Sequence, residues 1–310
     1  MQSRGHLLGA FAAMLFVGVT WGANLPVTKV LLFHFDLVPL AAVRMLVASL
    51  TLGVLLWLVE GRRALRLDID AGRFLGLGLL MGGFFAVYAY GLLHSNPITA
   101  AAVSVAGPLV SALTVRAATG QRFDPGFGMA LVLTLAGGAI LAASSLAGVG
   151  HLTFGGGEPV VLLSTVLWTL YSLKAQLWFG PRASQLHRAF VASLSSLLWL
   201  SALTALVVPL GLARSPFAVA DGWLWTQLVA LAVLASSFGG YAWNIGASRL
   251  GVAIASLWVN LVPFFAILLS MAYGFMPNGY QIVGGLVALS GVVYMQARKL
   301  QTTRPTRVTT

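Results

Sequence analysis

Arg44-Met45-Leu46-Val47-Ala48-Ser49-Leu50 and Arg188-Ala189-Phe190-Val191-Ala192-Ser193-Leu194 are one pattern written twice. Each copy opens an apolar stretch and follows a tryptophan in the stretch before it, Trp21 or Trp168. A second echo pairs Tyr88-Ala89-Tyr90 with Tyr241-Ala242-Trp243, and the next apolar run then carries an embedded proline, Pro108 or Pro263. An internal repeat is read before any motif, because it fixes how many units the chain contains. Here it predicts two.

Around these anchors the 310 residues are 59% hydrophobic and 8% charged, with mean hydropathy +0.92, whereas soluble domains carry about 25% charge. A helix needs about 20 apolar residues to cross about 30 Å of hydrocarbon. Ten stretches qualify: Leu7 to Lys29, Val38 to Val59, Phe74 to Leu93, Ile98 to Ala118, Gly126 to Leu146, Pro159 to Phe179, Leu186 to Leu210, Trp223 to Ala247, Val252 to Tyr273 and Gly279 to Ala297. The runs are continuous rather than alternating, so they read as helices and not as barrel strands. The first could pass for a signal peptide, but no clear small-x-small cleavage site follows it, and it reads as the first span.

The predicted fold is therefore an all-α integral membrane protein of ten transmembrane helices in two five-helix repeats. Five is odd, so the second copy enters from the opposite face and the repeats are inverted. Residues 1–147 form the first repeat, the Gly-rich 148–158 the linker, 159–298 the second repeat, and 299–310 a basic tail. Placing the N-terminus in the cytoplasm puts Arg4, Arg62, Arg63, Arg66, Arg73, Arg116, Arg122, Arg182, Arg188, Arg249, Arg298, Lys299, Arg304 and Arg307 inside. Only Lys29 and Arg214 then lie near outer loops. Both termini are expected to be cytoplasmic, in the plasma (inner) membrane.

Trp21-Gly-Ala-Asn-Leu-Pro-Val-Thr-Lys29, Arg44 opening the second helix, and Pro108 and Pro263 in the fourth and ninth together resemble the EamA branch of the drug/metabolite transporter superfamily. The resemblance covers essentially residues 7 to 298. It implies export or exchange of small organic solutes and leaves the substrate open. Two departures stand out. Where such proteins often have Gly-Glu after helices 4 and 9, this chain has Gly120-Gln121 and Gly274-Phe275, keeping Gly137 and Gly291 in helices 5 and 10. The related small multidrug exporters use an intramembrane glutamate, and helix 1 has none here.

Polar groups inside a bilayer are costly, so each is a functional candidate. Trp21, Asn24 and Thr28 share one face of helix 1, and both solute binding and helix packing fit them. Arg44 is placed either to snorkel or to hold a carboxylate. Arg188 starts helix 7, where a topology anchor is the plainer role. Lys174 lies deeper, with Trp168 and Tyr171 preceding it on helix 6, and a substrate or gating role stands beside a purely structural one. Tyr88, Trp243, Asn244, Trp258 and Asn260 complete the candidate site. Tyr90 points about 200° away from Tyr88 and cannot line the same cavity. Pro26, Pro108 and Pro263 are candidate hinges, with static kinks as the alternative. Small residues at Gly78 and Gly82, at Ala100, Ala101, Ala102, Ser104 and Ala106, and at Gly251, Ala253, Ala255 and Ser256 read as close helix packing.

Other classes find little support. The net charge of +11 suggests nucleic acid, but the basic residues are scattered between helices rather than gathered on one face, so no nucleic-acid partner is expected. Zero cysteines exclude thiolate chemistry. His6, His34, His94, His151 and His187 sit at predicted helix ends or loops, and neither a metal site nor a cofactor is expected. No Gly-x-x-x-x-Gly-Lys-Ser/Thr loop is present for ATP. No paired acid and base suggests an enzyme. The expected function is secondary transport of a small molecule, an amino acid or similar zwitterion, by alternating access. The alternative is a non-transporting receptor or intramembrane enzyme, and oligomeric state is not indicated.

Overall fold

The computed structural model describes residues 4–95, 103–146, 155–271 and 278–302, all-helical with no strand among them. Several expectations lie outside these residues: the opening of the fourth span at Ile98 with Ala100, Ala101 and Ala102, linker residues 148–154 with His151, the end of the ninth span at Tyr273 with Gly274-Phe275, and the tail from 303. The side chains of Pro26 and Lys29 lie outside them as well.

The helices are α1 (Arg4–Leu32), α2 (Leu37–Glu60), α3 (Ala71–Leu93), α4 (Gly107–Thr119), α5 (Phe127–Leu146), α6 (Glu158–Leu177), α7 (Gln185–Val207), α8 (Gly222–Leu250), α9 (Val252–Leu269) and α10 (Gly279–Thr302). Eight are long and apolar enough to cross a bilayer: α1, α2, α3, α6, α7, α8, α9 and α10. Within α5, Phe127–Ala143 forms a shorter apolar helix. Polar residues between them start and stop the helices. Asp70 accepts from the Arg73 amide at the start of α3, Ser184 from the His187 amide at α7, and Asp221 from the Trp223 amide at α8, each satisfying an orphan donor. Gly251, at φ 85°, makes the left-handed turn from α8 into α9.

Three helices are less regular than their sequences suggest. Chain turns at Val105-Ala106 precede α4, and α9 is interrupted by a 3-10 segment, Trp258–Leu261. Pro108 and Pro263 each sit in the first turn of the helical piece that follows, where a missing amide costs nothing. In α8, Ala232–Phe238 winds as a π-helix, with the Ser237 hydroxyl donating to the Ala232 carbonyl. α1, by contrast, runs unbroken through Pro26.

α5 packs along α10, α2 along α7, α3 against α6 and α7, α1 against α8 and α9, α4 against α6 and α9, and α2 against the π-segment of α8. The α5–α10 seam is backbone against backbone. A Cβ added at Gly137 would lie 2.2 Å from the Ala288 nitrogen, and one at Gly284 would lie 2.8 Å from the Gly137 oxygen. Gly78 does the same for α3 against Ser195 of α7. Two large buried cores form, one joining α1, α4, α5, α8, α9 and α10 and the other α2, α3, α6 and α7, beside a smaller one where the end of α1 and the start of α2 meet α8. Trp168 packs against both large cores.

Candidate functional site

Where the two cores meet, aromatic rings from α1, α3, α6 and α8 converge. Trp21 stacks on Trp243 with centroids 5.5 Å apart and meets Trp168 edge-on at 5.6 Å, while Trp168 and Trp243 are 5.5 Å apart. Phe84 lies 5.1 Å from Trp168 and stacks on Tyr88 at 5.7 Å, and Tyr171 lies 5.1 Å from Trp168. Such offset and edge contacts suit ring quadrupoles and hold the cluster in one arrangement. Two of the three indoles are also tethered by their N–H groups. Trp21 Nε1 donates to the Ala235 carbonyl at 3.2 Å and Trp243 Nε1 to Ser172 Oγ at 3.0 Å, whose own hydroxyl donates to the Trp168 carbonyl.

A polar patch adjoins the rings. Arg44 reaches from α2 to donate to Asn24 Oδ1 at 3.1 Å and, through Nη2, to Ser236 Oγ at 3.0 Å. Thr28 Oγ1 donates to the same Asn24 oxygen at 3.0 Å, one turn further along α1. Arg44 neither snorkels to an edge nor meets a carboxylate among the described residues. Its partners are neutral oxygens of α1 and of the π-segment. Because Ala235 and Ser236 are consecutive, the irregular turn of α8 is gripped by Trp21 and by Arg44 at once.

On the other side of the rings, Asn244 is fully buried and accepts from Gln176 Nε2 at 3.3 Å. Gln176 in turn accepts from Arg188, whose guanidinium also donates to the backbone oxygens of Ala175, Gln176 and Ala183. Arg188 is thus a cap on the carboxyl end of α6, a favourable place for a cation. Lys174 turns away from the rings, its ammonium 5.3 Å from the Trp178 ring.

Trp258 and Asn260 stand apart from the ring cluster. Asn260 Nδ2 donates to the carbonyls of Val105 at 3.2 Å and Thr134 at 3.3 Å, joining the break in α9 to the chain turns before α4 and to α5. Trp258 is buried. Tyr90 is exposed and stacks on His94, on the far side of α3 from Tyr88. Sequence reasoning passed over Ser236, Ser172 and Gln176, although Ser236-Ser237 is a hydroxyl pair inside an apolar run and so carried a signal. No group of three His, Asp or Glu side chains able to hold a metal occurs among the described residues.

An all-helical chain with eight bilayer-length helices and its polar groups gathered inside is a multi-pass integral membrane protein. It belongs to the EamA-like transporter family, whose sequence profile matches residues 7–143 and again 156–296. Among named relatives it is similar to the uncharacterized transporter YyaM of Bacillus subtilis, 24% identical over 92% of this chain and 93% of that one. It is also similar to a probable terminal-alkyne amino-acid exporter of Streptantibioticus cattleyicolor, 25% identical over 93% of each. A solved crystal structure matches with a TM-score of 0.75 at 20% identity, covering 98% of this chain and all of that one, a likeness of fold.

Proposed function

We propose that this transporter exports or exchanges a small organic metabolite, an amino acid or similar zwitterion, by alternating access between two inverted halves, residues 1–147 and 159–298. The observation that carries the reading is the meeting of rings and Arg44 at one place. The cluster draws Trp21 and Phe84 from the first half, and Trp168, Tyr171 and Trp243 from the second. A guanidinium facing only neutral oxygens has a charge to share, and its planar fork suits a carboxylate. Rings beside it offer an apolar wall and cation–π faces to the rest of a zwitterion.

The packing supports the inverted arrangement. Exchanging α1 with α6, α2 with α7, α3 with α8, α4 with α9 and α5 with α10 converts every principal helix pair into another principal pair or into itself. The twofold match of the family profile supports the same division. Pro108 and Pro263 follow helix breaks that Asn260 ties together, which favours these two points as hinges, whereas α1 is continuous at Pro26. Both termini then face the cytoplasm. That the Streptantibioticus relative is named a probable amino-acid exporter favours a solute bearing a carboxylate and outward movement.

The test is counterflow in proteoliposomes. Vesicles preloaded with unlabelled amino acids are expected to accumulate labelled solute transiently, with competition by carboxylates and none by their amides. Absence of accumulation across the amino-acid panel, with protein shown to be folded, removes the reading.

A further inference from the structure

Between α2 and α3 the chain forms a short 3-10 helix, Arg62–Leu65, followed by Arg66. Arg62, Arg63, Leu65 and Arg66 line an open cleft of about 530 Å³, and all three arginines are exposed. Several other cations of the molecule have partners: Arg73 pairs with Asp70, Arg214 with Asp36, Lys299 with Asp124, and Arg188 caps α6. Among the described residues, none of the three cleft arginines has a side-chain hydrogen bond or an ion pair. The neighbouring carboxylates form no ion pair with them: Asp70 is held by Arg73, and neither Glu60 nor Asp68 is in an ion pair.

The cleft is also held in place. The Ala64 carbonyl meets His187 Nδ1 of α7 at 2.9 Å, while Ala64 and Leu65 pack on the α2–α3–α6–α7 core. Its depth is fixed by the helix before it. α2 is 24 residues long, and its last turns expose Trp57 at 52%, Leu58 at 68% and Val59 at 67%, an aromatic and apolar band of the kind that lies at the edge of the hydrocarbon. The guanidinium groups that follow immediately therefore sit at headgroup level.

We infer that Arg62, Arg63 and Arg66 form a binding site for the phosphodiester of an anionic phospholipid headgroup. Guanidinium forks match phosphate oxygens two at a time, and clustered basic side chains beside a membrane helix attract anionic lipid. Leu65 lines the same cleft and gives it an apolar side. This site is independent of the solute site and does not rest on the transport reading.

The test is native mass spectrometry of the full chain extracted from vesicles of phosphatidylcholine and phosphatidylglycerol. The wild type is expected to retain phosphatidylglycerol preferentially. Arg62→Gln/Arg63→Gln/Arg66→Gln is expected to lose at least about tenfold of that enrichment, since each basic side chain near a lipid surface strengthens binding roughly fivefold. Arg122→Gln, an exposed arginine of another loop, should retain it. If the triple variant fails to fold, judged by its unfolding temperature in phosphatidylcholine alone, Arg63→Gln against Arg63→Lys carries the test, with loss expected only in the former. Enrichment equal in wild type and glutamine variant overturns the assignment. Displacement of the lipid by millimolar inorganic phosphate overturns it too, because the occupant is then a free anion.

Discussion

Asn24 Oδ1 receives two donors, from Arg44 and Thr28, and through them α1, α2 and the irregular turn of α8 share one junction. Arg44→Lys keeps the charge and loses the fork, so initial counterflow rates are expected to fall by about tenfold or more with little loss of expression. A rate equal to wild type would remove Arg44 from the site. Asn260 gives a contrasting case. Asn260→Ala leaves the Val105 and Thr134 carbonyls without their donor, and a loss of about 1 kcal/mol is expected in denaturant titration. Its effect on solute affinity should be small. The sequence marked both residues as polar groups in apolar runs and had no means of separating them. Which one faces a ring cluster and which one mends a broken helix depends on contacts between segments far apart in the chain.

Helix boundaries follow from runs of apolar residues, and α2, α3, α6, α7 and α10 were legible to within a few residues for that reason. The breaks were not. A π-turn in α8 leaves no mark of its own on hydropathy: Ser236-Ser237 marks Ala232–Phe238 as carrying polar groups, but not whether the segment winds with four or five residues per hydrogen-bonded turn. Pro108 and Pro263 did signal irregularity, but a proline in a helix and one that opens a helix read alike until the preceding turn is seen. At this scale the α5–α10 seam makes a clear demand. Gly137→Val is expected to lower stability by about 1–3 kcal/mol, whereas Gly128→Val on the same helix, where nothing lies within 4 Å, should be nearly silent. Parallel thermal melts decide it. Between elements, Asp36 of the α1–α2 loop accepts from the backbone and side chain of Arg214 in the α7–α8 loop. Burial alone raises the Asp36 carboxyl pKa, but the hydrogen bonds and charge of Arg214 outweigh it and the net effect is downward from the ordinary 3.8. Its contribution to stability is therefore full above about pH 4 and lost as pH falls below that through the lowered folded value. The melting-temperature gap between wild type and Asp36→Asn should be constant near neutrality and close in acid.

All seven carboxylates of the molecule lie at helix ends or in loops, including Glu158, whose oxygens take the amides of Gly155 and Gly156 at the start of α6. With no carboxylate within a span to carry a proton, counterflow is expected to persist with equal pH on both sides and a protonophore present. Transport that stops under those conditions and returns with an imposed gradient would refute this. The absence of cysteine offers a second test of the whole arrangement. A single cysteine at Leu212 should react with impermeant maleimide from outside the cell, and one at Arg63 only after permeabilisation, if five helices precede their inverted copy. In the sequence, the proposed division rests on two septets and two aromatic triplets that recur in order. The seam of α5 and α10 has one more consequence. Two main chains in direct contact leave no side chain between them to yield, and a slide by one turn would drive Leu133 or Leu141 into the opposing backbone. These two helices are then the keel of the molecule, a pair that moves as one piece or not at all.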